Sequence, residues 1–177
     1  MRISSFHIDG FGIFANVTVE NLSPGLSIFL GSNEAGKSTC LEFLRTMLTG
    51  YPNARNREFS RLRPLRGGEP GGSLSIICDD GTCLDVTRRP GSGFGSLVIT
   101  DDAGDAVAPE TLSTLMHGVS RDVYRNVFSF GLGELERFES LSSDAVRNAL
   151  YGASFGAGIR PPAEALQILD RQMEEFF

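Results

Sequence analysis

The apolar and polar positions of this chain change period several times, and each change marks an expected element. Arg2 to Asp9 reads as a first strand, broken by Gly10-Phe11-Gly12. Asn16 to Asn21 reads as a second, with Val17, Val19 and Leu22 as its apolar positions. Ser23-Pro24-Gly25 is turn chemistry. The run Leu26-Ser27-Ile28-Phe29-Leu30 then reads as a buried third strand. From Lys37 to Thr49 the period becomes helical: Leu41, Leu44 and Leu48 fall at i, i+3 and i+7, and Gly50 is a C-terminal stop.

Glycines at 67–68 and 71–72 mark a loop, after which Ser73 to Cys78 and Thr82 to Arg88 form an expected hairpin around Asp79-Asp80-Gly81. A two-residue Asp80-Gly81 turn would set Cys78 opposite Cys83. A three-residue loop with Gly81 in the left-handed conformation pairs Ile76 with Leu84 and Leu74 with Val86. The second register puts all four apolar residues on one face and is preferred; it leaves the cysteines unpaired.

Ser96 to Thr100 is another strand, closed by the turn Asp101-Asp102-Ala103-Gly104. Pro109 to His117 is a short helix, and Ser120 caps the next, Arg121 to Val127. Phe128-Ser129-Phe130 reads as a short buried strand, and 132–138 and 144–151 as helices. After the glycine-rich break 152–158, Pro161-Pro162 opens a last helix. Its Leu166, Leu169, Met173 and Phe176 are spaced 3, 4, 3, the a/d spacing of a coiled coil. Fewer than two heptads are visible, which also fits an ordinary amphipathic helix. The pattern breaks off on Phe176-Phe177, an expectation that the parent protein continues.

With 177 residues, 41% of them hydrophobic and 21% charged, the chain is globular rather than disordered. No apolar run approaches the roughly 20 residues of a membrane span, and the N-terminus lacks a signal-peptide core. An odd number of cysteines, three, fits free thiols and a cytoplasmic location. The net charge of −6 does not advertise nucleic-acid binding as a whole. One segment differs: 54–67 carries Arg55, Arg57, Arg61, Arg63 and Arg66 against Glu58 alone. These arginines are candidate contacts to phosphate, from a nucleotide or from DNA; a solvated loop explains them equally well.

The candidate chemistry centres on Lys37, the single lysine. Gly31-Ser32-Asn33-Glu34-Ala35-Gly36-Lys37-Ser38-Thr39 satisfies G-x-x-x-x-G-K-S/T and lies between an expected strand and an expected helix. The glycines let backbone N–H groups curl around phosphates, and the helix presents its positive end. Lys37 is a mobile point charge for the β- and γ-phosphates, and Ser38 carries a hydroxyl for Mg²⁺. An accidental glycine turn is the bland alternative.

A working P-loop ATPase also needs an acid for Mg²⁺ and a group to position water. The acid usually follows four apolar residues. Asp79-Asp80 and Asp101-Asp102 follow apolar runs, but both pairs lie in turn sequences, where aspartate is expected on structural grounds. The two histidines, His7 and His117, are structural by position. No LSGGQ-type signature, metal-ligand cluster or nucleophile–base pair occurs.

Taken together, Phe11 after the first strand, Pro24-Gly25-Leu26 before the nucleotide strand and GSNEAGKST resemble the N-terminal half-head of SMC-like ABC ATPases of the RecF, SbcC and YhaN type. The Asn33-Glu34-Ala35 insert, the arginine segment and 149–158 look most like the YhaN group. The run 127–138 resembles the Q-loop region of that family. The resemblance implies an α/β P-loop fold, an ABC/SMC-type head lobe with a mixed central sheet and an antiparallel β-layer. Residues 1–160 would be the N-terminal half of the head, and 161–177 the root of a coiled coil.

In that family a C-terminal piece of the same head supplies the signature and the acidic Mg²⁺ site, and two heads sandwich ATP. The resemblance therefore implies ATP and Mg²⁺ as cofactors. It implies a second head, a homodimer on ATP binding, and DNA as partners, with DNA repair or chromosome maintenance as the setting. Gly31, Asn33, Gly36, Lys37, Ser38 and Thr39 would hold the phosphates, Ser38 would ligate Mg²⁺ and Asn33 would approach the γ-phosphate. The pattern departs at Leu132, where a glutamine is expected; Glu134 is the weak candidate for that role. Two other readings stay open: a self-contained P-loop kinase or NTPase, and a non-hydrolysing, nucleotide-dependent DNA-binding module.

Overall fold

Alternation of buried and exposed positions builds the sheet. β3 (Gly71–Ile77) and β4 (Cys83–Arg89) pair antiparallel, with Leu74 opposite Val86 and Ile76 opposite Leu84. Their connection is the three-residue loop expected from the apolar pattern: the Cys78 N–H donates to the Thr82 carbonyl, and Gly81 has φ 89°. Leu74, Ile76, Leu84 and Val86 are all buried on one face. Cys40, Cys78 and Cys83 are free thiols.

The computed structural model describes residues 1–53, 55, 57–129 and 131. The chain divides into two units, Met1–Gly118 and Val119–Phe177. The helices expected at 132–138, 144–151 and 161–177, with Leu132 and Glu134, lie outside the described residues.

In the first unit, β1 (Arg2–Phe11), β2 (Phe14–Val19), β5 (Ser96–Asp101) and β6 (Ala106–Val107) complete a six-stranded sheet in the order β2-β1-β3-β4-β5-β6. The antiparallel layer is present, and every pairing among the described residues is antiparallel. Leu26–Leu30, expected as the strand before the phosphate loop, is not a strand here. Leu26, Ile28, Phe29 and Leu30 are 82%, 70%, 46% and 90% exposed. The expectation of a buried strand fails because no described strand lies beside it to take up its backbone groups. Phe29 alone has a ring neighbour, Phe6, with centroids 6.2 Å apart. β2 begins two residues earlier than its apolar pattern indicates, because Phe14 pairs with Phe11 across the Gly12-Ile13 turn.

α1 (Lys37–Thr49) packs against the sheet, and of the Leu41–Leu44–Leu48 stripe Leu48 alone is buried. Phe43 and Met47, one turn apart, are fully buried, whereas Leu41 and Leu44 are partly exposed. Gly72 explains the choice: a Cβ there would stand 2.9 Å from the Phe43 ring, so its absence makes the seat for that ring. Full burial of Phe43 contributes on the order of 1.5–3 kcal/mol. The ring continues an aromatic run: Phe6–Phe43 at 5.9 Å, Phe43–Phe11 at 5.4 Å, Phe11–Tyr51 at 6.4 Å and Tyr51–Phe59 at 6.0 Å. Phe59 belongs to α2 (Arg57–Leu62).

The C-terminal end of α1 is fixed by Arg88 of β4. Its buried guanidinium donates from Nε to the Met47 carbonyl at 2.9 Å and from Nη1 to the Phe94 carbonyl at 3.3 Å. A cation at a helix C-terminus complements the helix dipole. α3 (Glu110–Leu115) follows β6.

In the second unit, Ser120 caps α4 (Arg121–Val123), its Oγ accepting from the Val123 N–H at 3.4 Å. The helix then continues as a π-turn over Tyr124–Phe128. The short buried strand expected from Phe128 is therefore absent at residues 128 and 129: Phe128 ends the helical turn and is 59% exposed. Its ring stacks at 6.3 Å on Tyr124, a helical i, i+4 contact that a strand would not make.

Candidate functional site

The loop 31–36 enters α1 through two backbone positions with positive φ, Glu34 at 67° and Gly36 at 98°. At Gly36 glycine is also required sterically, since a Cβ would stand 2.5 Å from the Phe14 ring and 2.7 Å from Ile13 Cδ1. A Cβ at Gly31 would meet Ala35 Cβ at 2.9 Å. The Ala35 N–H donates to the Ser32 carbonyl at 3.2 Å. Together these contacts curl the loop tightly.

Lys37 reaches back over this curl. Its Nζ donates to the Gly31 carbonyl at 2.8 Å and to the Ser32 carbonyl at 2.7 Å. The ammonium is thereby held above the start of α1 while its side chain stays exposed. The first main-chain bond into the helix runs from the Cys40 N–H to the Gly36 carbonyl. No side chain caps this terminus and no acid lies in its first turn. Several N–H donors and the positive end of a 13-residue dipole thus face outward beside a cation, a donor set suited to a polyanion.

An open cleft of about 460 Å³ lies there, lined by Ile13, Asn33, Glu34, Gly36, Lys37, Ser38 and Thr39. Ser32 and Ala35 are part of the exposed loop. The residues fit a nucleotide's phosphates. For Mg²⁺ the fit is partial by design of the ion: it is usually held by one or two protein oxygens plus phosphates and water. Ser38 is the hydroxyl in place. Among the described residues no group of three His, Cys, Asp or Glu side chains could hold a metal alone.

Of the aspartates that mimic a Mg²⁺-binding acid, Asp80 and Asp101 have turn duties. Asp80 Oδ1 accepts from the Thr82 N–H at 2.9 Å, which holds its carboxyl below the usual range. Asp101 Oδ1 accepts from the Ala103 and Asp105 N–H groups at 3.0 and 2.9 Å. Asp79 pairs with the N-terminal ammonium at 2.7 Å. His7 lies in β1 between Asp9 at 3.1 Å and Thr18 at 2.7 Å, a structural position.

The arginine segment is tied to the phosphate loop by a connection that the sequence does not announce. The Gly12 N–H donates to the Leu62 carbonyl at 3.1 Å, and the Leu65 N–H donates to the Gly12 carbonyl at 2.7 Å. A Cβ on Gly12 would stand 2.7 Å from Thr39 Cγ2 and 3.8 Å from the Arg61 carbonyl. The β1–β2 turn is therefore wedged between the first turn of α1 and the end of α2. Arg57 and Arg61 lie one turn apart on α2, and Arg55, Arg57, Arg61, Arg63 and Arg66 are all exposed. The signal available in the sequence was Gly10-Phe11-Gly12, which reads only as a strand break until its partners are known.

With this geometry in hand, comparison with known proteins is specific. A family model described as "AAA domain" matches residues 1–177. The chain is 29% identical over 174 residues to the uncharacterized protein YhaN of Bacillus subtilis (strain 168). That alignment covers 98% of this chain and 17% of YhaN, so the chain spans about one sixth of the length of this relative. No helix among the described residues is long and apolar enough to cross a membrane.

Proposed function

The chain belongs to the AAA domain family of P-loop ATPases, and from that premise we propose that it is the phosphate-loop part of an SMC-like ATPase head. In this reading MgATP binds at 31–39, and hydrolysis requires an acid and a signature motif from elsewhere in the protein. Gly31 to Gly36 and the N–H groups opening α1 cradle the phosphates. Lys37 leaves the Gly31 and Ser32 carbonyls to neutralise the β- and γ-oxygens. Ser38 would hold Mg²⁺ together with the phosphates, and the ion would supply charge neutralisation. Two such heads close on ATP, and the arginine segment contacts DNA.

The observation that carries the proposal is the uncapped, acid-free N-terminus of α1 with Lys37 Nζ fixed above it. Two further facts support the division of labour. Two candidate acids among the described residues, Asp80 and Asp101, are engaged in turns. The apolar run 26–30, which leads into the loop, exposes a ridge that added strands would cover.

The test is equilibrium titration of MgATP onto the purified chain and Lys37→Ala. The expected result is at least ~10-fold weaker binding by the variant, since charge-assisted bonds contribute roughly 1.5–3 kcal/mol. Equal affinity would overturn the assignment.

A further inference from the structure

A second cleft, of about 390 Å³, lies between α2 and the ends of β3 and β4, away from the residues that line the phosphate cleft. Tyr51, Phe59, Leu62, Arg63, Pro70 and Pro90 are among its walls. Its size falls in the ~300–1,000 Å³ range of small-ligand clefts. Its chemistry is unusual for a solvated arginine loop. Tyr51 and Phe59 set their rings 6.0 Å apart at 62°, and the Arg63 guanidinium lies 5.9 Å from the Phe59 ring. The Tyr51 side chain is 2% exposed, and its hydroxyl is buried without a hydrogen-bond partner. That hydroxyl is closed to a ligand in the cleft, so Tyr51 contributes the packed floor behind Phe59. Arg63 is the arginine of the cleft wall, and Arg57, Arg61 and Arg66 of the same segment are exposed.

We propose that this cleft takes one unpaired nucleobase from a single-stranded nucleic acid, with the surrounding arginines on its phosphates. Each element of the cleft matches one part of that ligand. A flat π-face meets Phe59 and the planar guanidinium of Arg63, and the polyanionic backbone meets the arginines of the same segment. A duplex keeps its bases stacked inside and offers only the last of these. The proposal rests on the nucleic-acid part of the function proposed above and narrows it to strands with accessible bases.

The test is fluorescence anisotropy of chain 1–177 with four probes of matched label: a short oligothymidylate, the same strand with abasic sites, a blunt duplex and thymidine monophosphate. Abasic substitution is expected to weaken binding by about 5- to 100-fold, the range for loss of base–aromatic stacking. Phe59→Ala should reproduce that loss on the intact strand and leave abasic binding unchanged. Tyr51→Phe, which keeps the ring and removes only an enclosed hydroxyl, should leave binding of both strands unchanged. Phe59 is half-exposed, and unchanged MgATP affinity of each variant at the phosphate loop controls for folding.

Equal affinity for intact and abasic strands would overturn the cleft while leaving a phosphate-only DNA contact in place. Monophosphate binding as tight as the strand's would replace the proposal with a free-nucleotide site. Failure of every nucleic acid to bind would remove both the cleft proposal and the DNA reading.

Discussion

Leu74, Ile76, Leu84 and Val86 are sealed on the α1 face of the sheet, whereas Leu26, Ile28, Phe29 and Leu30 stand in solvent. The two groups have similar composition and similar preference for extended structure. What separates them is partnership. β3 and β4 pair with each other through a loop of three residues, and β1 and β5 flank them. Residues 26–30 lie between a turn and the phosphate loop with no described strand alongside. Burial is a property of an assembled sheet, and the open segment adjoins the part of the molecule expected to do chemistry.

Truncation on the sealed side should have the largest effect. Leu74→Ala should lower stability by about 2–5 kcal/mol, the cost of a buried cavity, read from urea denaturation. A loss below ~1 kcal/mol would mean that the face is loosely packed and the contrast is weaker than drawn.

Tyr51 tests the same side by pH. Burial pushes its hydroxyl up to about 12, even though Arg88 and Arg89 pull it down. The neutral form is favoured in the folded state, so its contribution is complete below pH 10 and is lost as pH rises from about 10 to about 12. Two units correspond to about 2–3 kcal/mol. Tyr51→Phe should remove this part of the alkaline decline. Identical alkaline profiles for the two proteins would place the hydroxyl in water.

On the open side, Lys37→Ala should act on ligand and not on fold. ATP affinity should fall at least ~10-fold, while stability without nucleotide changes by less than ~1 kcal/mol, by parallel titration and denaturation. Smallest of all should be Leu30→Ala, within ~0.5 kcal/mol as for other surface substitutions. A loss near that of Leu74→Ala would show that residues 26–30 are buried in solution and would erase the comparison.

How much of this was legible beforehand follows from the same distinction. The β3–β4 register was readable because one choice alone collects four apolar residues on one face, and Gly81 satisfies its loop. α1 was readable in extent but not in orientation: Gly72, 29 residues beyond Phe43 in sequence, decides which ring is seated. The spacing of Gly31, Gly36, Lys37 and Ser38 located the candidate phosphate loop, because that motif encodes local backbone geometry. The wedge of Gly12 between Thr39 and Leu62 depends on contacts far apart in sequence and left no periodic trace. Residues 26–30 misled because strand propensity describes a side chain's fit to a sheet and does not supply the sheet.

The central proposal is that this chain holds nucleotide and that hydrolysis requires groups from elsewhere in the protein. MgATP turnover by purified chain 1–177, with Lys37→Ala as the blank, tests it most directly. The account predicts no turnover above the blank. Robust turnover that depends on Lys37 would mean that an acid on this chain, Asp80 or Asp101 included, is catalytic, and the claim would fall.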